Sequence, residues 1–494
     1  MRLSSVLLKN VLMLTLGNLA MRGVSMFFQV WLADALGPVG LGLLQLIMTV
    51  HGFAITLGTF GLRVAAMVLS AEQHGLGQPN GVRQVMNTCL FRGLVISSAA
   101  GLALICLSET VALHWIRDLQ AAPSLRLLGL GLPLTCLSAI LAGYFTACGK
   151  VRQWLAVELG DRVLTVILTM GLLALDDRSD LSHACLSITA GGLLSSILST
   201  SLLLILMYRG LGRKKDAPPS MSRRVRQLCI PVALSDLLRS GLGTLEQFLI
   251  PYGFARYGGS HLGAMAAYGT IQGMVFPVLM FPCTLLISLS ELLVPELARC
   301  LARKEYHRRD FLTGSCLQLG GLYAAAVSGL LFVTAEPLCR LLYDSPEAGR
   351  YLKLFSPMVL MLYLDCITDG MHKGLGQQLW SVRVNTLTAF LDVVFLYFLL
   401  PRYGIAGFVG TFLLTHLVNF LLSVGRLLHI TDCKLSMTNL LLTVLCVGGA
   451  AAVTLSVPQM PGWGGLLVTA SVYLSLTVLS LVLVSSHMKT APSF

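Results

Sequence analysis

Apolar runs long enough to cross a bilayer follow one another along almost the whole chain. A transmembrane helix needs about 20 apolar residues, and such runs lie at roughly 8–33, 40–70, 84–107, 124–147, 153–175, 183–208, 227–255, 263–293, 311–335, 352–375, 380–400, 404–429, 436–457 and 463–486. Only short connections remain in a chain of 494 residues. The sequence therefore predicts an all-α, polytopic membrane protein with about 14 transmembrane helices.

The charged residues fit a membrane protein better than a soluble one. They make up 12% of the chain, against roughly 25% in soluble domains. The net charge of +12 would suggest nucleic acid if the protein were soluble, but most Lys and Arg residues fall in alternate connections between the runs. The positive-inside rule then predicts that both termini face the cytoplasm. A basic cytoplasmic side suits the anionic inner leaflet of the plasma membrane, where we expect the protein to lie. We expect no nucleic-acid partner.

Two similar halves are indicated by a polar stretch and by two matching turns. The stretch at 209–226 is basic, contains two prolines and lies near the middle of the chain. GYFTACGK (Gly143–Lys150) and GMHKGLGQ (Gly370–Gln377) end equivalent helices, and their glycines are separated by one common interval. We predict an N-lobe at 1–208 (helices 1–6), a cytoplasmic linker at 209–226, a C-lobe at 227–430 (helices 7–12) and a terminal helix pair at 431–494. The lobes would be parallel repeats.

Several predicted helices contain arginines, which cost about 2.5–3.5 kcal/mol each at mid-bilayer. Arg22 in helix one and Arg63 in helix two have no acid within four residues on their own helices. Arg239 in helix seven is a third candidate. Guanidinium groups bind phosphate through paired hydrogen bonds, so we predict that these three line a cavity for an anionic substrate group.

Two further pairs admit a structural or a functional role. Glu158 and Arg162 are spaced i,i+4, and Asp236 and Arg239 are spaced i,i+3, so each pair can neutralise itself on one helix face. Glu158 and Arg162 could equally line the substrate cavity.

An ion-binding site is a separate hypothesis. Asp236 and Asp392 are acids in the middle of predicted helices, and with Asn385 or Thr411 they would offer the oxygen ligands that a small cation prefers. Coupling to Na⁺ or H⁺ is the expectation that follows, while pairing of Asp236 with Arg239 remains the alternative. No other cofactor and no firm metal site is expected.

Four segments together resemble one known family over essentially the whole chain. They are the segment LADALGPVGLGLLQLIMTVHGFAITLGTFGLRVAAMVLSAE from Leu32, GYFTACGKVRQWLAVELGDRV from Gly143, FPCTLLISLSELLVPELAR from Phe281 and PRYGIAGFVGTFLL from Pro401. They resemble the stage V sporulation protein B group of polysaccharide exporters, within the multidrug/oligosaccharidyl-lipid/polysaccharide exporter superfamily. The resemblance implies two six-helix bundles around a central cavity, an added helix pair bordering a groove for a lipid tail, and alternating access.

The resemblance also bears on individual residues. Arg22 falls where the family commonly keeps a basic residue, and Glu158 with Arg162 fits the family's Glu-x-x-x-Arg pattern in helix five. Asp236 is similar to the helix-seven acid used for sodium in lipid II flippases. Two departures stand out: Arg63 occupies a position where many relatives have proline, and Leu396 occupies one where a second polar ion ligand would be expected.

The expected function is that of a flippase and not of an enzyme. It would carry a polyprenyl-pyrophosphate-linked oligosaccharide or a peptidoglycan precursor similar to lipid II across the membrane, in cell-wall, polysaccharide or spore-cortex assembly, and would not require an oligomer. A cation-coupled multidrug exporter of the same superfamily is the first alternative. A membrane glycan ligase or polymerase is the second, although no outer connection is long enough for a catalytic domain.

Overall fold

The fold is helical throughout the part of the chain that the computed structural model describes, residues 5–175, 181–211, 221–433, 437–456 and 462–490. The α-helices are α1 (Ser5–Thr59), α2 (Leu62–Gly75), α3 (Pro79–Val111), α4 (Ala122–Ala147), α5 (Val151–Leu175), α6 (Leu181–Gly210), α7 (Ser222–Gly258), α8 (His261–Gly269), α9 (Phe276–Met280), α10 (Cys283–Ala302), α11 (Tyr306–Tyr343), α12 (Pro346–Phe355), α13 (Val359–Gly374), α14 (Gln378–Tyr403), α15 (Ile405–Ile430), α16 (Met437–Leu455) and α17 (Gly462–Thr490). The predicted all-α class is confirmed.

The number of membrane spans agrees with the prediction of about 14. Eleven helices within the described ranges are long and apolar enough to cross a membrane. One of them, α1, contains the first predicted span and most of the second, which are separated by a kink at Gly37, where φ is 64°. The charged residues of α5 keep that helix out of the eleven, and α16 is apolar but shorter. The protein is therefore a multi-pass membrane protein.

The predicted continuous helix at 40–70 is wrong, because the chain breaks at Phe60 and Gly61. Both residues have positive φ, 44° and 69°, and α2 begins at Leu62. A Cβ atom on Gly61 would lie 2.8 Å from the backbone oxygen of Cys229 in α7. Glycine thus permits both the turn and the close approach of α7. The predicted helix at 263–293 is also interrupted, by a π-helical turn at Thr270–Val275 and by a turn between α9 and α10.

Contacts divide the chain into two units, residues 1–28 with 35–252 and residues 29–34 with 253–494. In the first unit, α2, α3, α4, α6 and α7 share a buried core that includes Tyr144 and Phe145. In the second unit, α16 and α17 pack against α11, where the Tyr473 hydroxyl donates a hydrogen bond to the Ala326 carbonyl at 2.9 Å. The lobe boundaries remain a prediction, and positions 212–220 of the predicted linker lie outside the described residues.

The two matching turns have the same backbone geometry. Gly149 after α4 and Gly376 after α13 have φ of 69° and 72°. In the first turn, Cys148 N–H donates to Tyr144 O at 2.9 Å, and Lys150 N–H donates to Phe145 O at 2.8 Å. In the second, Leu375 N–H donates to Met371 O at 2.9 Å, and Gln377 N–H donates to His372 O at 2.8 Å. The interval seen in the sequence therefore corresponds to a repeated structural element.

Candidate functional site

A first cavity of about 510 Å³ lies in the first unit, among α1, α4, α5 and α6. Helix α5 lines it with Trp154, Glu158, Asp161, Arg162 and Thr165. These positions recur at helical spacing, so they fall on one face of α5. Polar groups that would be costly in lipid are thereby turned toward this cavity.

The charges of α5 are already satisfied inside the first cavity. Arg162 forms an ion pair with Glu158 at 3.3 Å, as the i,i+4 spacing predicts. The Ser195 hydroxyl from α6 is 2.7 Å from Asp161 Oδ1 and 2.9 Å from the Asp161 backbone oxygen. Ser195 is fully buried, so this contact also ties α5 to α6. The α5 face therefore carries one net negative charge, that of Asp161, because Arg162 is paired with Glu158.

A second cavity of about 670 Å³ in the same unit is lined by Asp236 and Arg239 from α7 and by the start of α2. Its wall includes Gly61, Arg63 and Val64 at the chain break. No side chain caps the N-terminus of α2, whose first amides carry partial positive charge. Two guanidinium groups and a helix N-terminus thus meet one carboxylate in this cavity.

Arg63 belongs to both cavities, which also share Ile55 and Ala139. It has no hydrogen-bond or ion-pair partner among the described residues, and its side chain is exposed. Asp236 and Arg239 form no ion-pair contact within the described part of the chain, although Arg239 acts electrostatically on Asp236. The alternative of an ion pair between these two residues is therefore not observed. Both residues line the second cavity instead.

Arg22 does not join this group. Its side chain, on α1, is exposed and lines neither of the two cavities. Of the predicted substrate-binding residues, the structure thus brings together Arg63, Arg239, Glu158 and Arg162 in adjoining cavities of one unit. A role for Arg22 stays a prediction.

The predicted ion ligands Asp392, Asn385 and Thr411 lie in the second unit, whereas Asp236 belongs to the first. The Thr411 hydroxyl donates to the Gly407 carbonyl of its own helix at 2.9 Å, and Thr415, one turn later, donates to Asp392. Asn385 Nδ2 donates to the Ser381 hydroxyl at 3.4 Å.

A second polar contact lies close to Asp392. His416, adjacent to Thr415, is 3.2 Å from Asp365 of α13, and it also acts electrostatically on Asp392. The carboxylates therefore have a hydroxyl and an imidazole as partners. No group of three or more His, Cys, Asp or Glu side chains suited to a metal ion occurs in the described ranges.

Sequence reasoning missed several residues of these sites. Thr415 could have been found from its i,i+4 spacing to Thr411, because that spacing puts both hydroxyls on one face of α15. Ser195 and Trp154 carry no signal of their own in the sequence. Trp154 lines the first cavity, and Ser195 lies behind it as the hydrogen-bond donor to Asp161; both places depend on how α5 and α6 pack.

A family model described as MatE matches residues 14–170 and 242–398. The starts of these two segments differ by nearly the interval that separates Gly143 from Gly370. Among curated proteins, stage V sporulation protein B of Bacillus subtilis (strain 168) is 23% identical over 419 residues, covering 81% of this chain and 79% of that protein. Sporulation protein YkvU of the same organism is 21% identical over 369 residues, covering 71% and 79%.

Solved structures share the fold. Lipid II flippase MurJ, in an inward closed conformation, superposes with a TM-score of 0.74 at 12% identity, covering 97% of this chain and 99% of that one. An inward-facing multidrug resistance MATE family transporter of the MOP superfamily gives a TM-score of 0.65 at 16% identity, covering 83% and 95%.

Proposed function

Because the chain belongs to the MatE family, we propose that it is a membrane transporter that flips a lipid-linked anionic glycan, such as a polyprenyl-pyrophosphate-linked oligosaccharide or peptidoglycan precursor. Its relatives by sequence are sporulation proteins, and its structural neighbours are a lipid II flippase and a MATE transporter. The substrate would change leaflet in the plasma membrane during wall, polysaccharide or spore-cortex assembly. No bond is made or broken.

The observation that carries this proposal is the placement of Arg63. Arg63 lines both cavities, lies in the first turn of α2, and shares the wall of the second cavity with Arg239. A pyrophosphate leaving water needs such fixed donors, because a bare phosphate in an apolar cavity loses its hydration. The two arginines and the helix amides replace that hydration while the polyprenyl tail stays in lipid.

Alternating access would complete the cycle, with the two repeats rocking about the bound head group. Na⁺ or H⁺ coupling would act in the second unit through Asp392, held by Thr415, with Asn385 and Thr411 as further candidate ligands, or in the first unit through Asp236. Both termini would face the cytoplasm, as the distribution of basic residues indicates. Nothing in this scheme requires an oligomer.

A leaflet assay tests the proposal. The full chain is reconstituted in vesicles with a fluorescent polyprenyl-pyrophosphate sugar, and the fraction of probe accessible to an outside quencher is followed. We expect the wild-type protein to equilibrate the probe between leaflets and the Arg63→Ala, Arg239→Ala double variant to match empty vesicles. A rate in the double variant equal to that of wild type would contradict the proposal.

A multidrug exporter is the second candidate, and one observation favours it: Glu158, Asp161 and Asp236 place three carboxylates on the walls of the two cavities. Such groups could attract an organic cation. Ethidium accumulation in cells separates the two functions, because a drug exporter lowers it and a flippase leaves it unchanged. Glu158 already pairs with Arg162, and Asp161 accepts a hydrogen bond from Ser195. Because both carboxylates have protein partners, they are less available to a cationic drug, which favours the flippase.

A further inference from the structure

The first cavity is rich in hydroxyl groups that have no partner within the described structure. Ser138 of α4, Thr165 of α5 and Ser196 of α6 all line it, and none of their side chains makes a hydrogen bond there. Other hydroxyls on its wall, such as those of Thr135 and Thr189, donate to backbone carbonyls but keep acceptor lone pairs. Three helices thus direct donors and acceptors into one space, an arrangement that suits a ligand with many hydroxyls of its own.

The charges of this cavity argue against an acidic ligand. Arg162 is held by Glu158, and Asp161 accepts from Ser195. The remaining cation, Arg63, lies at the border with the second cavity. Once a phosphate occupies Arg63, a carboxylate in the first cavity would meet Glu158 and Asp161 with no other unpaired cation on the lining to balance it, so the lining favours an uncharged ligand.

Aromatic surface and size complete the description. Trp154 lines the cavity and is half-buried, and its flat ring can pack against the C–H face of a sugar. His51 of α1 also lines the cavity, and its Nε2 atom is buried without a hydrogen-bond partner among the described residues. The volume of about 510 Å³ falls in the usual range for small-molecule sites, about 300–1,000 Å³.

We propose that the first cavity is a subsite for the uncharged sugar of the lipid-linked glycan, while Arg63 at its border binds the phosphate that joins sugar and lipid. This inference rests on the proposed flippase function and adds to it a preference for neutral or N-acetylated sugars over uronic acids. Ser138, Thr165 and Ser196 hydrogen-bond the sugar hydroxyls, and Trp154 supports the ring.

The test measures binding of three probes to the purified full chain in detergent. They are polyprenyl pyrophosphate alone, the same lipid carrying N-acetylglucosamine, and the same lipid carrying glucuronic acid. Wild-type protein should bind the N-acetylglucosamine lipid roughly tenfold more tightly than either other probe, the effect of two or three added hydrogen bonds. Equal affinity for all three would overturn the sugar subsite and leave the flippase proposal standing.

Two variants address the cavity itself. The triple variant Ser138→Ala, Thr165→Val, Ser196→Ala should lose the roughly tenfold preference for the N-acetylglucosamine lipid. Gly192→Phe places a large side chain in the cavity, because Gly192 lines it and a Cβ atom there meets nothing within 4 Å. Gly160→Phe on α5 is the matched control, since its Cβ atom also enters open space but Gly160 does not line the cavity.

Each outcome decides the question. Loss of the sugar preference in the triple variant and in Gly192→Phe, with the preference kept in Gly160→Phe, supports the subsite. Retention of the preference in Gly192→Phe overturns it. An equal loss of affinity for the bare lipid in Gly192→Phe also overturns it, because the cavity would then hold the lipid chain. Failure of wild-type protein to bind any of the three probes would overturn the flippase proposal together with the subsite.

Discussion

Arg63 shows how a single charge can be kept in a membrane protein. It lies two residues after the break at Gly61, in the first turn of α2, and its side chain lines two adjoining cavities. An arginine facing lipid would carry the full insertion cost, whereas one that faces a polar cavity remains hydrated until a ligand replaces the water. Its position therefore points to binding and not to structural support.

Replacing Arg63 should weaken binding of the phosphate group. We expect Arg63→Ala to reduce the affinity for polyprenyl pyrophosphate roughly ten- to a hundredfold, the loss of a charged hydrogen bond. Arg63→Lys should keep part of it, because lysine retains the charge but not the bidentate geometry. Arg152→Ala is the control, since this exposed arginine of α5 lines neither cavity. An affinity of Arg63→Ala equal to that of wild type would contradict the assignment.

The two threonines of α15 offer a matched pair in the second unit. Thr415 donates to Asp392, whereas Thr411 donates only to a carbonyl of its own helix. Thr415→Val should lower the free energy of unfolding by about 1–3 kcal/mol, because it leaves a half-buried carboxylate without its hydroxyl donor. Thr411→Val should cost less than about 1 kcal/mol. Denaturant titration in detergent measures both, and equal losses would contradict the predicted difference.

At the scale of elements, the break between α1 and α2 sets the geometry of the second cavity. Glycine at position 61 allows a positive φ and lets α7 approach within contact of the backbone. That approach brings Asp236 and Arg239 of α7 to the wall that also contains Arg63. The candidate phosphate site thus depends on one turn that a longer side chain would disturb.

Substitution of Gly61 should therefore lower the stability of the protein. Gly61→Ala forces alanine into the left-handed region, at about 1–3 kcal/mol, and places its Cβ atom 2.8 Å from the Cys229 oxygen. Gly52→Ala is the matched control in α1, because its Cβ atom meets nothing within 4 Å and alanine favours a helix by up to about 1 kcal/mol. A thermal unfolding midpoint of Gly61→Ala at or above that of Gly52→Ala would refute this explanation of the break.

The repeated turns at Gly149 and Gly376 should respond alike. Their φ values differ by only a few degrees, and a Cβ atom on either meets nothing within 4 Å. Gly149→Ala and Gly376→Ala should each destabilise the protein by about 1–2 kcal/mol, the cost of the left-handed conformation. Asn at either position should cost less, since it visits that region more readily. Denaturant titration of the four variants checks this, and a marked asymmetry would show that the turns are not equivalent.

For the whole molecule, the sequence was sufficient to predict those features that depend on the hydrophobicity of a segment or on the spacing of residues along it. Spanning runs predicted the helical class, the interval between Gly143 and Gly370 predicted the repeated turn, and the i,i+4 spacing predicted the Glu158–Arg162 pair. The break after Phe60 was not predictable, because a phenylalanine with positive φ reflects packing and not local preference.

The cavities depend on packing in the same way. Trp154 lines the first cavity and Ser195 donates to Asp161 on its wall through the arrangement of α5 and α6, and no local pattern marks either residue. A ligand-binding role for Arg63 and Arg239 could be predicted, because an arginine within the membrane costs free energy unless it faces a polar cavity. The cavity that each arginine lines could not be predicted. Arg22, chosen by the same argument, lies on an exposed face of α1 and lines neither cavity.

Native mass spectrometry of the gently extracted full chain tests the central claim most directly, that the cavities of the first unit hold the phosphate-bearing head of a lipid. We predict a co-purifying adduct with the mass of a polyprenyl pyrophosphate carrying sugar, present in wild type and in Arg152→Ala but lost in the Arg63→Ala, Arg239→Ala double variant. The same adduct at equal occupancy in the double variant, or the absence of any phosphate-bearing lipid from wild type, would contradict the account.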